Sequence, residues 1–550
     1  MGNWHQFSGI FGELDSLKSS AQTIFINGDI YIDSENKVQN IFIENDQVKA
    51  HDVDVSAFPN ANVVDLKGKA IFPGFMDTHC HLLETGFVLN VGVNLREVKN
   101  STSEIASKLR DKIAESQKGE TILGVGFEMD DYTKWSLKDL AMIDAVSPDN
   151  PVMLVDMSGH NLLLNTAGMR FCNITDENFK DNIGGSSNRE NGHLTGMFRE
   201  KSQQKPADEI FAKFGHEDLA KEGARKLIDY WASMGYTSIV DLMGAIGFRL
   251  HKPDIFYALE KENRLKMRVN WCYTLFDVDG VDEAALLKGK DTDLVRFYGG
   301  KIFVDGAYAG GEPWTTWEHS NGGFGLQQVY TDDSVGEKYN LNRIVLRAEE
   351  LSLNMHYHTQ GDRAIQAVLD ALEYTKNKLG SIKQTHTLAH VAFLTPEQMK
   401  LIANYGGRVV VTVQPAFCKI EDNLTQFFAG HTNEAYQIKK MFDSGVTVGM
   451  STDFSVSPID MVSPAVIMGV GMSGAGNPEV YQSLSMDEMI RGFTELNSKV
   501  CAHSDVGDLH VGKKADFLVV DKSFYGLTAK ELQNSPPKTL ETWVSGVKRF

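Results

Sequence analysis

The sequence predicts an α/β protein built on a (β/α)8 TIM barrel, with a small β-sandwich made from both chain ends and an insert after barrel strand 1. Three observations predict it. Eight apolar runs alternate with amphipathic stretches through the middle of the chain, short alternating strands occupy both ends, and about 150 residues separate the first two central runs. At 550 residues the chain exceeds one ordinary hydrophobic core, which fits a large domain with accessory parts.

The ends come first. After a polar leader, TIFINGDIYID from Thr23, QNIFIENDQVKA and ANVVDLKGKAIF alternate apolar with polar residues and turn at Asn-Gly and Asn-Asp. VGKKADFLVVDK and LETWVSGVKRF do the same near the other end. Neither end alone has enough strands to bury a face, so residues 1–72 and 505–550 are expected to share one sandwich.

The barrel is expected over residues 73–504. Its strands are KAIFPGFMDTH from Lys69, YTSIVDL from Tyr236, KMRVNWCYT from Lys266, RFYGGKIFVDG from Arg296, LNMHYH from Leu353, THTLAHV from Thr385, RVVVTVQP from Arg408 and VTVGMSTD from Val446. Right-handed closure of eight such units places chemistry at the carboxyl ends of the strands. The interval of about 82–235 is too long for one crossover and is expected to hold an inserted subdomain roofing the barrel mouth. Within it, TILGVGFEMDDY and PVMLVDMSGHNLLLN each read as a strand leading into a polar loop.

Composition narrows the function. Apolar residues make up 42% and charged residues 23%, ordinary values for a folded protein. With 54 basic against 73 acidic residues, the net charge of -19 repels phosphate backbones and anionic headgroups, so no nucleic acid and no membrane is expected as a partner. No run approaches the ~18 apolar residues of a membrane span. Five scattered cysteines without CxxC spacing suggest neither a disulfide framework nor a thiolate zinc site, and a cytoplasmic setting is expected.

The chemistry gathers at strand ends. His79 and His81 in FPGFMDTHCH stand two apart, and on a strand such residues share a face, so both imidazoles can reach one ion. His358 closes the fifth strand in MHYHTQGD, His390 the sixth in THTLAH and Asp453 the eighth in GMSTD. Four histidines and an aspartate at one rim point to a metal site. Lys301 lies on the fourth strand in GGKIFVDG. Either it turns outward or meets a carboxylate, or desolvation lowers its pKa and carbon dioxide converts it to an anionic carbamate that can bridge two metals. His160, Glu200 and Gln414 are candidate substrate contacts. His356 and His386 alternate with the ligand positions, so they share a face with them by strand period.

PGFMDTHCH, SGH at Ser158 to His160, TGMFRE ending at Glu200, KIFVDG, HTQGDRA, LAH, VTVQP, STDFSV and VGKKADFLVVD run in order along nearly the whole chain. On these motifs it resembles the amidohydrolase superfamily, and within it the amidohydrolase 3 branch that includes N-substituted formamide deformylases. The resemblance implies two divalent metal ions, His79 and His81 on one, His358 and His390 on the other, a carboxylated Lys301 between them and Asp453 contacting the first. It also implies a homodimer. Thr359-Gln360, Ala389 and Thr452 depart from the commoner family residues and leave substrate choice open.

The expected activity is hydrolysis of a non-peptide carbon–nitrogen bond in a small-molecule substrate, N-acyl or N-formyl, by a metal-bound hydroxide on zinc, with Asp453 as the catalytic proton carrier. Alternatives are a deaminase or cyclic-amide hydrolase on the same site, or a catalytically silent metal-binding scaffold.

Overall fold

The computed structural model describes residues 22–214, 217–243, 253–420 and 427–550. The polar leader lies outside them. At the centre is an eight-stranded parallel sheet whose strands follow one another in chain order. They are β1 (Phe75–Cys80), β2 (Tyr236–Asp241), β3 (Arg268–Thr274), β4 (Val295–Phe303), β5 (Asn354–Thr359), β6 (His386–His390), β7 (Val409–Val413) and β8 (Val448–Met450). Just beyond β8 the ring closes on β1, where Asp453 N–H donates to His79 O at 2.8 Å and His81 N–H to Phe454 O at 2.7 Å. This is the expected TIM barrel.

The runs form strands because both faces are covered. VVVTV of β7 is buried throughout, the unbroken apolar pattern of a parallel sheet wrapped by helices. The helix Asp362–Leu379 shows the outer layer's logic. Its buried Ala364, Ile365, Val368, Ala371, Leu372 and Thr375 recur at helical spacing, and it stops at left-handed Gly380 with Lys376 and Lys378 in its last turn.

A second eight-stranded sheet joins the chain ends. Phe517–Val520 pairs antiparallel with Ala70–Pro73, which in turn joins Gln22–Tyr31 and, through it, Lys37–Glu44 and Gln47–His51. Its own core holds Phe25, Ile41, Ile71, Phe517 and Val519. The run from Lys69 is thus two strands, one in this sheet and one in the barrel. Gly74 divides them where a Cβ would fall 2.2 Å from Thr237 Oγ1, so the two sheets meet backbone against side chain.

Between β1 and β2 a mixed six-stranded sheet runs in the order Gly185–Glu190, His193–Glu200, Asn161–Leu164, Val152–Asp156, Ile122–Phe127, Val93–Asn94. It packs a separate core around Ile105, Leu109, Phe127, Trp135 and Ile143. PVMLVDMSGHNLLLN is here a hairpin of two strands, with Ser158 to His160 in its turn. No helix among the described residues is long and apolar enough to cross a membrane.

Candidate metal centre

Residues of β1 set the geometry. Against β2 its register shifts between Asp77 and Cys80, an irregularity that re-aims the side chains of a strand. Asp77, fully buried, accepts from Thr452 Oγ1 at 2.6 Å, Thr452 N at 3.0 Å and Trp231 Nε1 at 3.0 Å, tying β1 to the turn after β8. His79 ends up inside the barrel. His81 is not on the strand: it caps the helix Leu82–Val91, so the two imidazoles converge through a strand end and a helix start rather than through strand period alone. His79 Nε2 and His81 Nε2 each lie 3.4 Å from Asp453 Oδ1.

Asp453 stands in the turn after β8 at φ 50, a left-handed conformation that aspartate tolerates better than most residues. Besides its own bond to His79 O, its carbonyl accepts Val456 N–H at 2.7 Å, so the turn is held at both ends. His390 also departs from extended backbone, at φ 71. Its ring lies 4.7 Å from those of His79 and His358. This turn separates it from His386, which bonds Glu349 Oε1 at 2.9 Å and Tyr357 Oη at 2.8 Å. Strand period placed His386 on the ligand face, and the left-handed residue at the end of β6 is why it is not there. His356 does reach the site, its Nε2 being 3.1 Å from His79 Nδ1.

Three histidines share one arrangement. His79 turns Nδ1 to His356, His358 Nδ1 donates to Asp305 Oδ1 at 3.2 Å, and His390 Nδ1 donates to Gln414 Oε1 at 2.9 Å. With an oxygen opposite Nδ1, His358 and His390 leave Nε2 without a proton, the form in which a second-nitrogen hydrogen bond orients imidazole for a metal. Burial holds His79 and His358 well below the ordinary imidazole range and lowers His390 to about 4, so all three are neutral at pH 7. For Asp453 burial acts upward, but His81, His390 and Lys301 outweigh it and the carboxyl lies below its usual value. Lys301 is 1% exposed, and burial lowers it from 10.5 to about 8. It forms no hydrogen bond or ion pair among the described residues, and its nitrogen lies 4.9 Å from the centre of the Phe303 ring.

His79, His81, Lys301, His358, His390 and Asp453 all line one small cavity. Ligand atoms of His79, His390 and Asp453 lie within 4.8 Å of one another. Asp453 Oδ1 and His81 Nδ1 are buried without a hydrogen-bond partner, and a buried carboxylate oxygen without one is costly. Neutral imidazoles around an unsatisfied carboxylate are a donor set that fits a divalent cation.

The three candidate substrate contacts separate. His160 lines the cavity, with Nδ1 2.9 Å from each oxygen of Glu200. Burial opposes its charge, but Glu200 outweighs burial and raises its pKa. Glu200 lies behind it at φ 50, accepting Gln328 Nε2 at 2.7 Å. Gln414 is fully buried and turned away, its Nε2 donating to Ser451 Oγ at 2.8 Å, and it does not line the cavity. Asp77 and Asp305 escaped the reading of the sequence. The signals available were a carboxylate two residues before His79 and one in KIFVDG, each in a run otherwise apolar. Asp305 also accepts the backbone N–H groups of Gln360, Gly361 and Trp314, and burial pushes it up to about 8.

Comparison with known proteins adds three findings. The model of the amidohydrolase family matches residues 62–549. The chain is 24% identical over 524 residues to N-substituted formamide deformylase of Arthrobacter pascens, covering 90% of this chain and 91% of that protein, and 23% identical over 506 residues to Protein LONG AFTER FAR-RED 3 of Arabidopsis thaliana, covering 88% and 83%. An uncharacterized metal-dependent hydrolase from Pyrococcus horikoshii OT3 has the same fold, with a TM-score of 0.72 at 21% identity over 92% of this chain and 99% of that one.

Proposed function

The chain belongs to the amidohydrolase family, and on that premise we propose that it hydrolyses a carbon–nitrogen bond of a small N-acyl or N-formyl amide. The observation that carries this reading is the unsatisfied Asp453 Oδ1, 3.4 Å from two imidazoles and buried among neutral histidines. His79, His81, His358 and His390 would hold two divalent ions, zinc by the chemistry of the donors, and Lys301 as its carbamate would add an anionic oxygen donor. Bound zinc supplies a Lewis acid and acidifies water. The carbamate forms when the neutral Lys301 amine adds to carbon dioxide, making one N–C bond and releasing one proton, and the lowered pKa of this lysine favours it.

The chain's own groups then divide the work. Asp453 is ionised at neutral pH and accepts the proton of the attacking water, which it passes to the departing nitrogen. His160, whose charged form Glu200 favours, has its second ring nitrogen available to the substrate carbonyl oxygen as charge develops there. Gln414 and Asp305 keep His390 and His358 turned to the cavity. Phe303, Tyr308, Phe417 and Val456 line the same cavity and limit water.

A panel of N-formyl and N-acetyl amines, cyclic imides and aminopyrimidines, assayed with zinc, tests the reading. Release of a free amine from the open-chain amides is the expected result. Turnover confined to ring opening or to ammonia release would overturn it.

A further inference from the structure

The cavity around Asp453 measures only about 40 Å³, room for a few atoms. Beside it lies a chamber of about 460 Å³, within the usual range of small-molecule sites. His160 and Ala307 line both. A cavity of about 350 Å³ beside Lys201 shares no wall residue with the metal cavity.

The chamber's walls have a definite character. Phe324, Phe427 and Tyr132 supply aromatic surface. Its ionisable groups are Asp130, Asp131, Glu312, Tyr132, Arg199 and His160, and both basic ones are already paired, the guanidinium with Glu312 and the imidazole with Glu200. The far wall is fixed by glycine: Gly325 has φ 83, and a Cβ there would fall 1.8 Å from Pro313 O. Gly311 likewise admits Phe427, whose ring a Cβ would meet at 2.7 Å.

We propose that this chamber receives the nitrogen substituent of the substrate, and that Ala307 sets how bulky a group can reach from it to the metal cavity. The inference rests on the hydrolase reading and adds the substrate class. The small inner cavity takes a formyl or acetyl carbonyl. The outer chamber takes an aromatic or similarly large substituent that is neutral or cationic, because an anionic one would meet the carboxylates of Asp130, Asp131 and Glu312, while the guanidinium of Arg199 and the imidazole of His160 are already paired with carboxylates of the protein.

The test compares N-(2-phenylethyl)formamide with N-methylformamide and with N-formylphenylalanine, which adds one carboxylate to the same body. In the zinc-loaded parent the phenylethyl amide is expected to be the best of the three in kcat/KM. In Ala307→Leu, and in Phe324→Ala on the half-exposed far wall, the ratio of kcat/KM for phenylethyl over methyl amide is expected to fall about tenfold or more, the size of a few lost apolar contacts. An unchanged ratio in both variants, or preference for N-formylphenylalanine, overturns the chamber while leaving the hydrolase reading intact.

If the parent turns over none of the amides, the hydrolase reading fails and calorimetric titration with 2-phenylethylamine decides the chamber. Saturable binding, weakened about tenfold in both variants, supports it. Absent or unchanged binding overturns it.

Discussion

His390 Nδ1 donates to Gln414 Oε1 at 2.9 Å while the other end of the same amide holds Ser451, so Gln414 fixes a ligand from behind the cavity. Replacing it with leucine removes the acceptor that selects the imidazole tautomer. Gln414→Leu is expected to weaken zinc binding about 10- to 100-fold, read by competition with a chromogenic chelator, with little change in overall fold.

Asp453 plays a different part. Asp453→Asn keeps an oxygen near His79 and His81 but removes the base. Zinc content is expected to stay near the parent's while kcat falls about 10²- to 10⁴-fold. Full turnover in this variant would remove Asp453 from the proton path.

Lys301 supplies the pH test. The neutral amine is the form that adds to carbon dioxide, and burial brings its midpoint from 10.5 down to about 8. In metal-stripped protein at fixed dissolved ¹³C-labelled carbon dioxide, a carbamate NMR signal is expected to grow as pH rises through about 8. Lys301→Met should lack it. A signal that rises only near 10.5 would contradict the burial argument.

The barrel's hold on the end sheet rests partly on a buried ion pair. Arg268 of β3 donates to Asp516 through Nε at 2.6 Å and Nη2 at 3.1 Å, and both side chains are almost wholly buried. Arg268→Met strands the Asp516 carboxylate, and a loss of about 3–5 kcal/mol is expected in urea denaturation. The double variant Arg268→Met with Asp516→Leu should recover most of it, because the penalty comes from the orphaned charge.

How much of this could be read from the sequence follows from what each feature depends on. Strand ends rich in histidine announce themselves, because imidazole and carboxylate are rare in apolar runs, and His79, His81, Lys301, His358, His390 and Asp453 do meet around one cavity. Features set by backbone detail were hidden. The split at Gly74 depends on Thr237, a contact between chain segments far apart. His386 was assigned to the ligand face by a period that the left-handed His390 interrupts. Gln414 looked like a substrate contact because glutamine at a strand end can serve either role, and only the direction of its amide distinguishes them.

The most direct test of the central claim is metal content, measured by mass spectrometry on protein purified without chelator, in the parent and in His79→Ala. About two zinc ions per chain are expected in the parent, with marked loss in the variant. A parent that holds no metal, or a variant that holds as much as the parent, would contradict it.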